Sequence, residues 1–184
     1  MSFTAPRSSV GAASASPIPL IYEAFTYYDR EVLPHKNDDV INAHAMSGAH
    51  AALQAVQDAG LRCALFTNPS FPQGAIECRM GWGDLADAPF ELVTHMGNAT
   101  RCKPDATYYL EQLQMMGLEP HEVLMVGNDP KRDFPSPACG IQTAYVGQGK
   151  PGRATWHGTM EDFARNFNAV VEAFYEHQVA NELS

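Results

Sequence analysis

Short apolar runs alternate with amphipathic stretches along most of the chain. The runs lie at residues 61–68 (LRCALFTN), 90–95 (FELVTH), 122–126 (EVLMV) and 141–146 (IQTAYV). Each has the length of a strand, and each is mostly apolar, as expected for a strand with both faces buried. Strands that alternate with helices predict an α/β fold, in which a parallel sheet carries helices on both faces.

Apolar positions at helical spacing predict the helices between these runs. One should begin with Ser47 as its cap and end at Gly60, and another should begin after Pro104 and end at Gly117. A short helix is predicted at 74–80, and a Gly/Pro loop should lead into one last amphipathic helix that carries apolar residues from Phe163 onwards.

The ends of the chain differ from its middle. Residues 1–19 are rich in Ser, Ala and Pro and predict a disordered leader. Residues 20–46 have helical spacing followed by a polar break, and residues 47–184 contain every predicted strand. The sequence therefore divides into a leader, a helical segment and one α/β core of 47–184.

Charge and composition exclude some classes of function. The net charge is −9 over 184 residues, which argues against non-specific binding to nucleic acid or to an anionic membrane surface. Apolar runs stop well short of the roughly 20 residues of a membrane-spanning helix. The four cysteines form no CxxC pair and no zinc-binding spacing, so we expect free thiols in a reducing, cytoplasmic compartment.

Polar residues that could carry chemistry follow the predicted strands. Thr67 and Asn68 end the first run, Lys103 opens the helix after the second, and Asp129 and Asp133 follow the third. The carboxyl ends of parallel strands share one edge of a sheet, where ligands collect. A hydroxyl, an ammonium and two carboxylates there favour a phosphate site with Mg²⁺. Taken singly, Thr67 fits a helix cap, Lys103 a solvated residue, and Asp133 an acid favoured by a helix dipole.

The order of these motifs resembles the haloacid dehalogenase (HAD) superfamily of hydrolases over residues 47–146. LFTN resembles the family's second motif, CKP its third and VGNDPKRD its fourth, and Gly140 matches the Gly before the last core strand. The resemblance implies a HAD-like Rossmannoid sheet and a Mg²⁺-dependent phosphatase that acts on a small phosphorylated metabolite through an aspartyl-phosphate. It assigns phosphate binding to Thr67, Asn68 and Lys103, and Mg²⁺ binding to Asp129 and Asp133.

The family's first motif, a strand ending in DxDxT, is missing from the sequence upstream of LFTN. The acids in that region are Glu23, Asp29, Glu31, Asp38, Asp39 and Asp58, and none follows an apolar strand as the motif requires. In the family this motif supplies the nucleophile and the central strand. The resemblance therefore indicates an N-terminally truncated member, with 20–46 as a remnant of the helical cap.

Two functional interpretations of that gap stay open. The chain could be a HAD hydrolase that is weak or inactive for lack of the nucleophile, or a non-catalytic domain that binds phosphate or protein. Residues 17–22 could also serve as a substitute strand. A more distant possibility is an unrelated flavodoxin-like or response-regulator-like domain with Asp129 as the phosphate acceptor.

Overall fold

The computed structural model describes residues 18–38 and 42–182, and within them it contains five strands and a series of helices. The strands are β1 (Cys63–Leu65), β2 (Phe90–Val93), β3 (Leu124–Gly127), β4 (Gln142–Val146) and β5 (Trp156–Gly158). The α-helices are α1 (Ile18–Tyr27), α2 (Ala49–Asp58), α3 (Gln73–Trp82), α4 (Ala106–Met116), α5 (Met160–Arg165) and α6 (Phe167–Glu182). The predicted α/β class is confirmed.

Short helical turns complete these elements. A π-helical turn (Tyr28–Val32) and a 3₁₀ turn (Leu33–His35) continue α1, so that 18–38 is helical almost throughout. Two more 3₁₀ turns, Pro120–Glu122 and Pro137–Cys139, lead into β3 and β4. None of the helices that the structure describes is long and apolar enough to cross a membrane.

All strand pairs are parallel, but the described strands form two sheets rather than one. β1 pairs with β2, and β4 pairs with β3 on one side and β5 on the other. Within the described residues no strand joins β1 to β3. The predicted parallel sheet is therefore divided between these two strands, in line with the expected lack of its central strand.

Two apolar clusters hold the helices against the strands. One joins α2, α5 and α6 to β4 through buried residues that include Ala144, Val146 and Phe163. The other centres on Tyr108, Tyr109 and Leu113 of α4, which pack with Ile141, Phe66 and Met125. Helix α4 thus contacts apolar residues in or directly beside both sheets. Its predicted end at Gly117 holds, with φ 65°, whereas it begins at Ala106 rather than directly after Pro104, because Asp105 Oδ1 accepts from Thr107 N at 2.8 Å and caps it.

Three details of the predicted elements are wrong. The residue before α2 is Gly48, and Ser47 instead donates a hydrogen bond to Glu161. The Gly/Pro loop holds the short strand β5, which is too short and too polar to show an apolar run. The last helix is divided at Asn166, where α5 ends after a capping box at Thr159.

The suggestion that residues 17–22 form a substitute strand is also wrong for residues 18–22, which the structure describes. Residues 18–22 lie in α1, and the rest of the leader lies outside the described residues. Several aromatic side chains of this segment are largely exposed, among them Tyr22 at 73% and Phe25 at 64%. Helical segment 20–38 therefore contributes no strand to the core.

Candidate functional site

The loops after β1 and β3 and the start of α4 meet at one edge of the molecule. Lys103 N donates to Asn68 Oδ1 at 3.1 Å, and Lys103 Nζ donates to Asp133 Oδ1 at 2.7 Å. Lys103 precedes a cis bond to Pro104. Lys103 therefore links the β1 loop to the β3 loop, as the convergence of strand ends predicts.

The Asp133 carboxylate accepts three hydrogen bonds at this edge. Besides the ammonium of Lys103, it accepts from Asn128 N at 3.2 Å and from Asp129 N at 2.9 Å, both through Oδ2. A Cβ placed on Gly127 would lie 2.6 Å from Asp133 Cβ, so only glycine permits this approach. Asp133 thus fastens the turn after β3 as well as the lysine.

Asp129 faces a different set of partners. Its Oδ1 accepts from the backbone N–H groups of Lys131 and Arg132, and its Oδ2 accepts from Arg132 Nε at 2.7 Å. The bond from Arg132 is the main reason that the pKa of Asp129 lies below its usual value. Arg132 is 77% exposed, so this partner can turn away into solvent.

Thr67 is held by a residue that the sequence prediction missed. Thr67 N donates to Thr94 Oγ1 at 2.6 Å, and Thr67 Oγ1 donates to Thr94 O at 2.8 Å. Thr94 is fully buried and directly follows β2. The same rule that selected Thr67, a polar residue at the carboxyl end of a strand, could have identified it.

Two buried tyrosines of α4 donate hydrogen bonds to the loops that carry Thr67 and Asp133. Tyr108 Oη donates to Thr67 O at 2.6 Å, and Tyr109 Oη donates to the backbone carbonyl of Asp133. Burial raises the pKa of both phenols, so both stay protonated donors at neutral pH. These residues position the loops and do not face the edge themselves.

The predicted site residues therefore divide into one connected group and one neighbour. Thr67, Asn68, Lys103 and Asp133 are linked through hydrogen bonds, whereas Asp129 joins only through its backbone, whose N–H donates to Asp133 Oδ2 and whose C=O accepts from Asp133 N. In the part of the chain that the structure describes, no group of three or more His, Cys, Asp or Glu side chains is placed to hold a metal. A cation here would have to rely on two carboxylates and water.

Comparison with known proteins identifies the architecture. The family model described as haloacid dehalogenase-like hydrolase matches residues 16–139. No curated protein matches the sequence.

Several solved structures share the fold at low identity. A HAD phosphatase from Thermococcus onnurineus is 19% identical with a TM-score of 0.57, over 68% of this chain and 57% of that one. A β-phosphoglucomutase from Clostridium difficile is 16% identical with a TM-score of 0.62, over 88% of this chain and 68% of that one. A HAD family hydrolase from Deinococcus radiodurans with bound phosphate and sodium is 19% identical with a TM-score of 0.57, over 83% of this chain and 75% of that one. The chain thus spans little more than half the length of the Thermococcus protein.

Proposed function

The chain belongs to the haloacid dehalogenase-like hydrolases, and from that membership we propose that its loop edge binds the phosphate group of a small phosphorylated metabolite beside Mg²⁺. The observation that supports this most is the link from Asn68 through Lys103 to Asp133. It places an ammonium, a hydroxyl-bearing loop and a carboxylate at one strand edge. Their combination suits a dianion with a divalent cation.

Lys103 would be the principal phosphate ligand. Its ammonium has three N–H donors, and the bond to Asp133 uses one of them. The other two can face a phosphate oxygen, while Asp133 holds the side chain in place. Asn68 is exposed at the same edge, whereas Thr67 Oγ1 would have to rotate away from Thr94 O to donate to phosphate.

Asp129 and Asp133 would hold the magnesium ion. Mg²⁺ keeps several of its own waters and needs only one or two carboxylates, so two acids fit it. Asp129 could turn to a cation once its exposed partner Arg132 moves away. When bound, the ion would neutralise phosphate charge during transfer.

We further propose that this chain hydrolyses phosphomonoesters weakly or not at all. An aspartyl-phosphate route needs a free carboxylate in line with the phosphorus atom. The sequence has no DxDxT motif, and Asp133 and Asp129 are occupied by Lys103 and Arg132. Loss of the nucleophile from such a unit removes most of the rate enhancement.

Two measurements on the purified chain test this proposal. Binding of inorganic phosphate, followed by ³¹P NMR with and without Mg²⁺, should be detected, and should be lost in Lys103→Ala. Lys36→Ala removes a lysine of the N-terminal helical segment and should bind phosphate like the parent. Hydrolysis of p-nitrophenyl phosphate with Mg²⁺ should stay near the rate without protein.

The outcomes separate the alternatives. Robust Mg²⁺-dependent turnover that Asp129→Ala abolishes would show that a nucleophile is present after all. Binding without turnover supports a non-catalytic phosphate-binding domain, the second candidate, which the intact Lys103–Asp133 pair beside the missing motif favours. If no phosphate binds at millimolar concentration, the proposed phosphate site is wrong for both candidate functions.

A further inference from the structure

Hydrogen bonds close a ring around the backbone of Thr67. Thr67 N donates to Thr94 Oγ1 at 2.6 Å, and Tyr108 Oη donates to Thr67 O at 2.6 Å. The third side is the 2.9 Å contact between Thr94 Oγ1 and Tyr108 Oη. A phenol has one hydrogen, and the bond to Thr67 O uses it, so in this contact the Thr94 hydroxyl donates and the phenol oxygen accepts. We call these three bonds the hydroxyl ring.

All bonds of the hydroxyl ring run in one direction, from Thr67 N–H through Thr94 and Tyr108 back to the Thr67 carbonyl. Hydrogen bonds in such a chain polarise and strengthen one another. Thr94 and Tyr108 are both 0% exposed, so solvent cannot replace either partner. The aromatic side chain of Tyr108 packs edge-on against Phe66 and Tyr109, at centroid distances of 6.0 and 5.1 Å. The hydroxyl ring is thus a rigid support whose members depend on one another.

The side-chain hydroxyl of Thr67 lies outside the hydroxyl ring. Thr67 Oγ1 donates to Thr94 O at 2.8 Å, and Asn68 O is a second acceptor at 3.2 Å. The hydroxyl hydrogen can therefore turn from one acceptor to another while the backbone stays fixed. A phosphate oxygen would be a third acceptor for a hydroxyl whose place is already set.

We propose that Thr94 and Tyr108 are positioning residues for phosphate and that they act through Thr67, an inference that rests on the proposed phosphate site. Neither side chain touches the ligand. The hydroxyl ring holds both polar groups of the Thr67 backbone, so that the Thr67 hydroxyl meets phosphate from one fixed place. Without the hydroxyl ring, part of the binding free energy is lost in ordering the loop after β1, and the affinity for phosphate falls.

The affinity of the full chain for inorganic phosphate, measured by ³¹P NMR titration with Mg²⁺, tests the proposal. Thr94→Val and Tyr108→Phe should each raise the Kd by about threefold to tenfold, the range for one net hydrogen bond, whereas Thr94→Ser keeps the hydroxyl and should stay within about twofold of the parent. In a Thr67→Ala chain, adding Thr94→Val should change the Kd by less than about twofold, because Thr94 acts through the Thr67 hydroxyl.

A matched control removes a threonine hydroxyl elsewhere in the fold. Thr155 Oγ1 donates to Thr143 O at 3.1 Å, between β4 and β5. Thr155→Val should therefore bind phosphate like the parent. Each variant is measured where circular dichroism shows it to be folded, and Tyr108→Phe gives the same test if Thr94→Val does not fold.

The outcomes separate this inference from the phosphate site. If the parent, Thr94→Val and Tyr108→Phe bind phosphate equally well, the positioning role is wrong and the phosphate site stands. A loss in Thr94→Ser as large as in Thr94→Val, or a further loss of about threefold or more when Thr94→Val is added to Thr67→Ala, would show a general loosening of the fold and overturn the inference. If the parent binds no phosphate, both proposals fail.

Hydrogen exchange tests the hydroxyl ring without phosphate. Tyr108→Phe leaves the bond from Thr67 N to Thr94 Oγ1 in place but opens the ring. Exchange of the Thr67 amide should then become faster by about threefold or more relative to the amides of β4. An unchanged exchange rate would show that the three bonds are independent and that the hydroxyl ring does not act as a unit.

Discussion

The Lys103–Asp133 ion pair should stabilise the loops of the candidate site, and Asp133 should contribute more than Lys103 to the free energy of unfolding. Both side chains are nearly buried, at 11% and 13% exposure. Asp133→Ala removes the acceptor for the ammonium and for two backbone N–H groups of the turn after β3. Lys103→Met removes one donor and leaves the carboxylate bonded to both amides.

The contacts give the expected magnitudes. Removing one partner of a buried pair destabilises a protein by about 3–5 kcal/mol. Because about a tenth of each side chain remains in water, we expect about 3 kcal/mol for Asp133→Ala, at the lower end of that range. For Lys103→Met we expect about 1.5–3 kcal/mol, the loss of one hydrogen bond between charged groups with the alkyl chain retained.

Urea unfolding near neutral pH, followed by far-UV circular dichroism, measures both values and the double variant. The double variant leaves no unpaired ammonium, so its loss should be smaller than the sum of the single losses by about 1–3 kcal/mol. Asp133→Asn, which keeps one acceptor oxygen for the turn, should fall between the two single variants. A coupling below about 0.5 kcal/mol, or a larger loss for Lys103→Met than for Asp133→Ala, would refute the pair as described.

Three further variants test neighbouring parts of the site. Gly127→Ala should destabilise by about 1–3 kcal/mol in the same assay because its Cβ would lie 2.6 Å from a side-chain carbon, whereas Gly81→Ala, in the open interior of α3, should be neutral or stabilising. Tyr108→Phe should cost about 1–2 kcal/mol through its lost bond to the β1 loop, and an unchanged midpoint would count against that bond. Arg132→Gln should raise the pKa of Asp129 measured by NMR titration. Because this pKa is lower in the folded chain than in the unfolded chain, the Arg132 contact stabilises the fold at a pH above the unfolded-state pKa, and the stabilisation is lost as the pH falls through the folded-state pKa. An unchanged pKa of Asp129 in the variant would contradict the contact.

Local pattern was enough to predict most elements of the core. The apolar runs at 90–95 and 141–146 contain β2 and β4, and the run at 122–126 contains all of β3 except Gly127, because a strand buried on both faces is mostly apolar. The end of α4 at Gly117 was predicted because a terminal glycine acts within one turn of chain, whereas its cap, Asp105, was not identified. β5 was missed because three half-exposed residues carry no such pattern.

The candidate site, like the fold, was only partly predictable from the sequence. The order of Thr67, Asn68, Lys103 and Asp133 after the strands predicted that they would lie at one edge. Lys103 bonds to Asn68 and to Asp133, and Thr67 Oγ1 joins this group by donating to Asn68 O. The buried partner Tyr108 could not be told from an ordinary core residue, since a hydroxyl's partner depends on what packs above it, whereas Thr94 could have been identified by its place directly after a strand.

The sequence by itself determined three features: the alternation of helix and strand, the polar residues at the strand ends and the lack of a DxDxT motif. Each of these depends only on the order and spacing of neighbouring residues. Only the tertiary structure decided how those residues connect. It separated Asp129, bonded to Arg132, from Asp133, bonded to Lys103. It also left β1 and β3 in different sheets, since strand pairing depends on which segments lie side by side and not on the character of either segment alone.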